Sequence, residues 1–293
     1  MSLKLKIAIL IFRAVPLAVR RAVFSGLARL GYYLLVKHKL IVLHNLTRAF
    51  PEKSPAEIER IAKGSYRSFA LVVAEFSEIA RLNPDNIHQW VHFQGLEHYD
   101  EAIRKGKGVL LFSGHFGNWE IGNAALAIAR KPLIFIYRIL DSAFLEEAIT
   151  YVRASCGNIS LDKEKAMLPM IHSLKKGATI SILIDQNVAH YEGIFIDFFG
   201  RPACTTSGLA LLALYTGAPV LPVFTTRMPD GKYLMEIGAE VAIRNTGNRD
   251  ADVRENTQSF TGIIEEHIRK YPEQWLWLHQ RWKTKLCQAR SSG

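Results

Sequence analysis

No aspartate or glutamate occurs before Glu52, although the chain carries 27 of them in all. The same stretch holds nine basic side chains (Lys4, Lys6, Arg13, Arg20, Arg21, Arg29, Lys37, Lys39, Arg48), and beyond it 28 basic residues face 27 acidic ones. The net charge of +10 therefore belongs almost entirely to the N-terminus, and no nucleic-acid partner is expected of the nearly neutral remainder. Long charge-free apolar runs are missing too. Between residues 3 and 43 none approaches the ~18–20 residues of a spanning helix, and Arg13, Arg20 and Arg21 would sit near mid-bilayer if this segment crossed. Cysteine is sparse: Cys156, Cys204 and Cys287 are odd in number and far apart, which gives neither a disulfide framework nor a metal-binding spacing and makes a reducing, cytoplasmic setting the default. The G-x-S-x-G elbow, the H-E-x-x-H zinc motif and the G-x-x-x-x-G-K-[ST] phosphate loop are all absent.

The N-terminal segment reads as an amphipathic helix lying in a membrane interface. Lys6, Arg13 and Arg20 recur every seven residues and so share one face, while Ile, Leu, Phe and Val cover the rest. A signal peptide lacks its small-residue cleavage site here, and a core helix with a basic outer edge is the structural alternative. Ser54-Pro55-Ala56-Glu57 is a capping box with proline in the first helical position, opening a helix expected to run to about Leu82. After Asn83-Pro84-Asp85 short apolar runs (VHFQG, GVLLFS, PLIFIYR, ISL, ATISILID) alternate with helical patterns. GVLLF and TISILI show no polar alternation, as befits strands buried on both faces. Strands at IFIDFFG, PVLPVF and YLMEIGAEV and helices at 207–216 and near 250–270 follow. The expected fold is α/β, a mostly parallel central sheet flanked by helices, with a helical anchor over 1–50 and a catalytic domain over 51–293.

One stretch carries chemistry. SGHFGNWEIG, residues 113–122, follows the strand GVLLF and precedes a helix, so His115 falls at the carboxyl end of a strand, where open α/β sheets collect ligands. On a continuous helix His115 and Glu120 would lie roughly 140° apart. Gly114 and Gly117 permit a bent loop, and Asn118 can cap a helix that presents Glu120 in its first turn and folds its carboxylate toward the imidazole. A histidine held by a carboxylate is a general base, and with no protein nucleophile in evidence the group it activates is a substrate hydroxyl. The structural alternative is a strand-to-helix turn whose Glu120 only complements the helix dipole.

HFGNWE behind a basic amphipathic segment resembles the bacterial lipid A biosynthesis acyltransferases, lauroyl and myristoyl transferases of the lysophospholipid acyltransferase superfamily. The likeness extends to HNLTRAFPEKSPAEIERIA, FIYRILD, ILIDQN, IFIDFFGRPACTTSG, TGAPVLPVF and YPEQWLWLHQRW. It implies a glycerolipid acyltransferase-like fold and transfer of a fatty acyl group from a thioester of acyl carrier protein or coenzyme A to a lipid hydroxyl. The setting implied is the cytoplasmic face of the inner membrane, with no resident cofactor or metal. His115 matches the family's base and Glu120 its orienting acid; Arg138, Arg153, Asp185 and Arg201 match polar positions that would contact substrate. Backbone N–H groups from Gly114 to Gly117 would suit the tetrahedral oxyanion. Two alternatives stay open: Asp185 as a loop cap and Arg201 as an ordinary turn arginine. Thr205-Thr206-Ser207 opens a helix that either holds an anion or is merely well capped. Trp275, Trp277, His279 and Arg281 alternate as the two faces of a closing strand would, with His279 structural.

Overall fold

Pro16 and Leu35 divide the acid-free segment into three helices, α1 (Leu3–Ala14), α2 (Leu17–Leu34) and α3 (Val36–Ala49), in a computed structural model that describes residues 2–286; Cys287 lies outside the described residues. Proline has no N–H for the helical ladder, which is why α1 stops ahead of it. Part of the expected cationic face is turned inward. Arg20 is buried and paired with Glu78 at 2.5 Å, Arg21 reaches Glu75 at 2.7 Å and Arg13 donates to the Ser77 carbonyl. The apolar side chains Leu3, Ile7, Leu10 and Ile11 of α1 and Val19, Val23, Leu27, Leu30 and Leu34 of α2 are the exposed ones. Of the heptad, Arg20 and Arg13 thus turn to the body while Lys6 stays exposed, and the hydrophobic stripe faces out. Tyr32, Val42 and Leu46 meanwhile enter the same core as Phe112 and Phe260. Among the described residues no helix is long and apolar enough to cross a membrane.

The helix α4 (Pro55–Glu75) begins at the capping box: Ser54 Oγ accepts from the Glu57 N–H, and the Glu57 carboxylate accepts from the Ser54 N–H at 2.9 Å. It tightens into a 3₁₀ turn over Phe76–Arg81. Then come β1 (Val91–Gln94), α5 (Leu96–Arg104), β2 (Val109–Ser113), α6 (Trp119–Ala129), β3 (Leu133–Tyr137), α7 (Ala143–Ala154), β4 (Ile159–Asp162), α8 (Met167–Lys175) and β5 (Thr179–Leu183). The hairpin strands β6 (Gly193–Asp197) and β7 (Pro202–Thr206), α9 (Gly208–Thr216), β8 (Val220–Arg227), β9 (Tyr233–Ile237) and α10 (Arg249–Lys270) complete the order.

Seven of the described strands form one sheet, β1-β9-β8-β2-β5-β3-β4, parallel from β8 to β4 and reversed between β8 and β9. All five residues of β2 are buried because helices cover both faces. Leu110 and Phe112 join the core under α4, α9 and α10, while Val109 and Leu111 join the core under α5 and α6. IFIDFFG is not part of this sheet. It pairs antiparallel with β7, a strand unexpected from sequence, in a hairpin whose tip residue Phe199 adopts φ 55°. Residues 275–281 form no strand either; apart from one isolated bridge between Trp275 and Phe116 they run as turns, held by side chains.

His267 of α10 stacks on Phe224 of β8, centroids 3.9 Å apart, and shares a hydrogen bond with Thr226 Oγ1 at 3.0 Å. Burial, then the charge of Lys270, pushes its pKa down to about 4. The folded state keeps this imidazole neutral while the unfolded chain protonates it, so its contribution is whole above about pH 6.5 and declines as pH falls toward 4, by at most ~1.4 kcal/mol per unit. His267→Gln should flatten the dependence of Tm on pH between 6.5 and 4. An unchanged slope in calorimetry would show that other groups carry it.

Candidate active site

Strand register builds the site. β2 and β5 pair in parallel with Ser113 opposite Leu183, and the Ile184 N–H continues the ladder to the Ser113 carbonyl at 3.1 Å. Two residues further along each strand, His115 and Asp185 come level. His115 Nδ1 lies 2.8 Å from Asp185 Oδ1, and the His115 backbone N–H donates to Oδ2 at 2.8 Å. Trp275 Nε1–H donates to the same Oδ2 at 2.7 Å. Burial would raise the Asp185 pKa; the charge of His115 and hydrogen bonds from His115 and Trp275 outweigh it and hold the carboxyl down at about 2. An ionised Asp185 fixes the proton on Nδ1 and leaves Nε2 as the acceptor. Nε2 faces the side chain of Gln186, whose Nε2 lies 3.3 Å away.

Glycines make the turn possible. A Cβ on Gly114 would stand 3.0 Å from Asp185 Oδ2, and one on Gly117, at φ 54°, would collide with the Thr225 carbonyl oxygen at 1.8 Å. The turn's own amides are already committed. His115 N–H goes to Asp185, Phe116 N–H to the Gly114 carbonyl, Gly117 N–H to the Gln274 carbonyl and Asn118 N–H to the Thr225 carbonyl. The expectation that amides through Gly117 would face an oxyanion is therefore corrected: from His115 onward they hold the turn. Asn118 Oδ1 accepts from the Ile121 N–H at 3.1 Å, so the first-turn amides of α6, at Trp119 and Glu120, stay free of intrahelical partners.

Glu120 does not reach the imidazole as the spacing suggested. Its carboxylate takes Arg153 of α7 in a bidentate pair, Nε at 3.0 Å and Nη2 at 2.5 Å, and the Trp119 indole N–H at 3.1 Å. Guanidinium geometry matches a carboxylate better than an imidazole edge does, and α6 carries Glu120 toward α7. The link to the base is indirect: the Trp119 ring packs edge-on against His115 at 5.1 Å. Arg153 also lies over the rings of Phe135 and Tyr137.

A cavity of about 530 Å³ joins these groups. Its polar lining includes Glu120, Asn123 and Arg153; its apolar lining includes Met167 and Met170 of α8, Leu209 and Leu212 of α9, and Ile184. His115 lines it as well, and so does Arg138, which has no ion-pair partner among the described residues. Arg201 stands apart from it: its Nε donates to the Arg48 carbonyl at the end of α3, at 3.2 Å. His279 accepts from the Asn187 N–H at 2.8 Å, and burial first of all lowers its pKa, as for a structural imidazole. Sequence reasoning missed Trp275 and Gln186 as site residues. The only signal for either was its place in a stretch that also carries the family likeness.

A histidine–aspartate pair at the carboxyl end of a parallel sheet, beside a mostly apolar cavity, is an arrangement chemically able to take a proton from a hydroxyl or water. The particular kind follows from comparison with known proteins. The model of the bacterial lipid A biosynthesis acyltransferase family matches residues 4–284, and the chain belongs to that family. The lipid A biosynthesis lauroyltransferase of Escherichia coli K12 is 29% identical over 89% of this chain and 84% of its own length. The lipid A biosynthesis palmitoleoyltransferase of the same strain is 27% identical over 86% of this chain and 80% of its own. A phosphatidylinositol mannoside acyltransferase of Mycolicibacterium smegmatis is 25% identical over 95% and 90%. The chain is thus an acyltransferase.

Proposed function

We propose that this acyltransferase moves a fatty acyl group from a thioester of acyl carrier protein or coenzyme A to a hydroxyl of a lipid A precursor, with His115 as general base. The observation that carries the reading is His115 itself: Nδ1 is tied to an ionised Asp185 while Nε2 faces Gln186 in a cavity with both apolar and polar lining residues. The acceptor oxygen attacks the thioester carbonyl as Nε2 takes its proton. The tetrahedral oxyanion faces the first turn of α6 and its positive dipole end. As the C–S bond breaks, the imidazolium returns the proton to the leaving thiolate, and ester and free thiol result. The apolar lining from α8 and α9 suits the acyl chain, and Arg138 at the cavity suits a phosphate of the acceptor or of the donor's pantetheine arm. Glu120 and Arg153 supply polar lining beside which the acceptor's hydroxyl is presented.

Free-thiol release tests the chemistry. It should require the lipid acceptor; release at the same rate from thioester and water alone would make the protein a hydrolase. The mycobacterial relative's name makes a phosphatidylinositol mannoside the second acceptor to try.

The outward apolar stripe of α1 and α2 supports peripheral attachment to the membrane, with Lys4, Lys6 and Arg29 exposed beside it. Deleting residues 1–40 is a poor test, because it also takes Arg21 from Glu75 and Arg20 from Glu78. Leu27→Gln, Leu30→Gln and Leu34→Gln together leave those pairs intact. At ~1–2 kcal/mol for each leucine withdrawn from lipid, the triple variant should lose at least about 100-fold in vesicle affinity by co-sedimentation. Undiminished binding would remove the stripe from the account.

A further inference from the structure

Glu75 closes α4, is fully buried, and takes no part in the proton transfers. Its carboxylate nonetheless collects four donors from four elements. Oε1 accepts from Arg21 Nε of α2 at 2.7 Å and from Arg227 Nη1 of β8 at 2.6 Å; Oε2 accepts from the Tyr233 hydroxyl of β9 at 2.6 Å and from Asn118 Nδ2 at 3.3 Å. Burial above all, and the Glu75 charge next, pushes the Tyr233 phenol far up, so it remains a donor. The last of the four residues matters most. Asn118 is itself fully buried, caps α6 with its Oδ1 and stands between His115 and Glu120 in the turn. Its amide nitrogen has two acceptors, Glu75 and the Tyr233 hydroxyl, both at 3.3 Å.

A continuous line thus runs from the inner face of α2 to the catalytic turn: Arg21, Glu75, Asn118, then the first turn of α6 with Trp119 on the imidazole and Glu120 on Arg153. A buried ionic cluster is weak evidence for stability, since apolar residues of like volume often serve as well, but it fixes geometry wherever every member is satisfied. We propose that Glu75 is a positioning residue that makes the seating of α2 a part of active-site assembly. With Arg21 in place the carboxylate holds Asn118, and α6 presents its first turn to His115. With Arg21 gone, Arg227 and Tyr233 draw the carboxylate to themselves and the cap is held less firmly. The helix whose outer face carries Val23, Leu27 and Leu30 thereby contributes to turnover as well as to attachment. The inference rests on the reading of His115 as the base.

The test is a double-mutant cycle on kcat with the full chain in detergent micelles, where tethering to a bilayer plays no part. Arg21→Met removes the donor from α2. Asn118→Ser keeps a capping oxygen for the Ile121 N–H but has no amide for Glu75. Each should lower kcat by about 10- to 100-fold with KM altered little. The double variant should be no worse than the poorer single one, because both break the same line. Arg21→Lys should recover part of kcat, and it serves in the cycle if Arg21→Met does not fold. Hydrogen exchange should show faster opening over 115–123 in the Arg21 variant and no change over 208–216. Losses in kcat that simply multiply, or kcat left at the wild-type value in folded variants, would overturn the proposal. A wild-type protein that transfers no acyl group in micelles or vesicles would instead overturn the acyl-transfer reading on which it rests.

Discussion

Replacing His115 with alanine is expected to lower kcat for acyl transfer by about 10²–10⁴, the contribution of a positioned general base. The loss should fall on chemistry alone. The His115 backbone N–H and the Trp275 indole still satisfy Asp185 Oδ2 in the variant, and the turn's other amides bond to the Gly114, Gln274 and Thr225 carbonyls. The stripe belongs to other elements, α1 and α2, and is exposed, so vesicle binding should be unaltered. Single-turnover measurement of acyl transfer beside co-sedimentation separates the two. Equal loss of both would mean that the substitution unfolds the protein, and retention of transfer would remove His115 from the mechanism.

Asp185→Asn should be nearly as damaging, again about 10²–10⁴ in kcat, for a reason that the hydrogen bonds dictate. Oδ2 receives two N–H donors, so the amide of an asparagine keeps its oxygen there and turns its NH₂ toward Nδ1. Nδ1 then accepts, the ring proton moves to Nε2, and the nitrogen that must take the acceptor's proton already carries one. The charge that would stabilise the imidazolium is lost as well. Glu120→Gln leaves this tautomer untouched; it weakens the pair with Arg153 and should cost less. A ranking with Glu120→Gln the more damaging would return the orienting role to Glu120. Asp185 also has a signature in stability. Its pKa in the fold lies at about 2, below the usual carboxylate value of 3.8, so its contribution is whole above about pH 4 and disappears as pH falls through 2.

Where each feature was legible follows from how local its cause is. Unalternating GVLLF and TISILI declare buried parallel strands, and Ser54 to Glu57 declare a helix start, because those signals lie within a few residues. His115 at a strand end was equally readable. Its partner was not: Asp185 lies seventy residues away and becomes its neighbour only because β5 pairs with β2 in the register that sets Leu183 opposite Ser113. Glu120 looked like the partner because it was near in sequence, and nothing in HFGNWE announces Arg153 on another helix. The acid-free segment is a similar case. A cation reads the same whether it faces lipid or protein, and only the positions of Glu75 and Glu78 against α2 decide that Arg20 and Arg21 face protein. β7 was hidden by its opening proline and by Thr205-Thr206-Ser207, which resemble a helix cap. Alternation in QWLWLHQR imitated a strand, while the indoles of Trp275 and Trp277 serve Asp185 and the Pro272 carbonyl.

The measurement that tests the account most directly is mass spectrometry of lipid products after incubating the purified protein, and His115→Ala beside it, with acyl-carrier-protein thioesters and a tetra-acylated lipid A precursor. The account predicts a lipid heavier by one acyl group with the unmutated protein and none with the variant. Equal product from both would contradict the role of His115. No product from either, with coenzyme A thioesters and a phosphatidylinositol mannoside also tried, would contradict the proposed transfer itself.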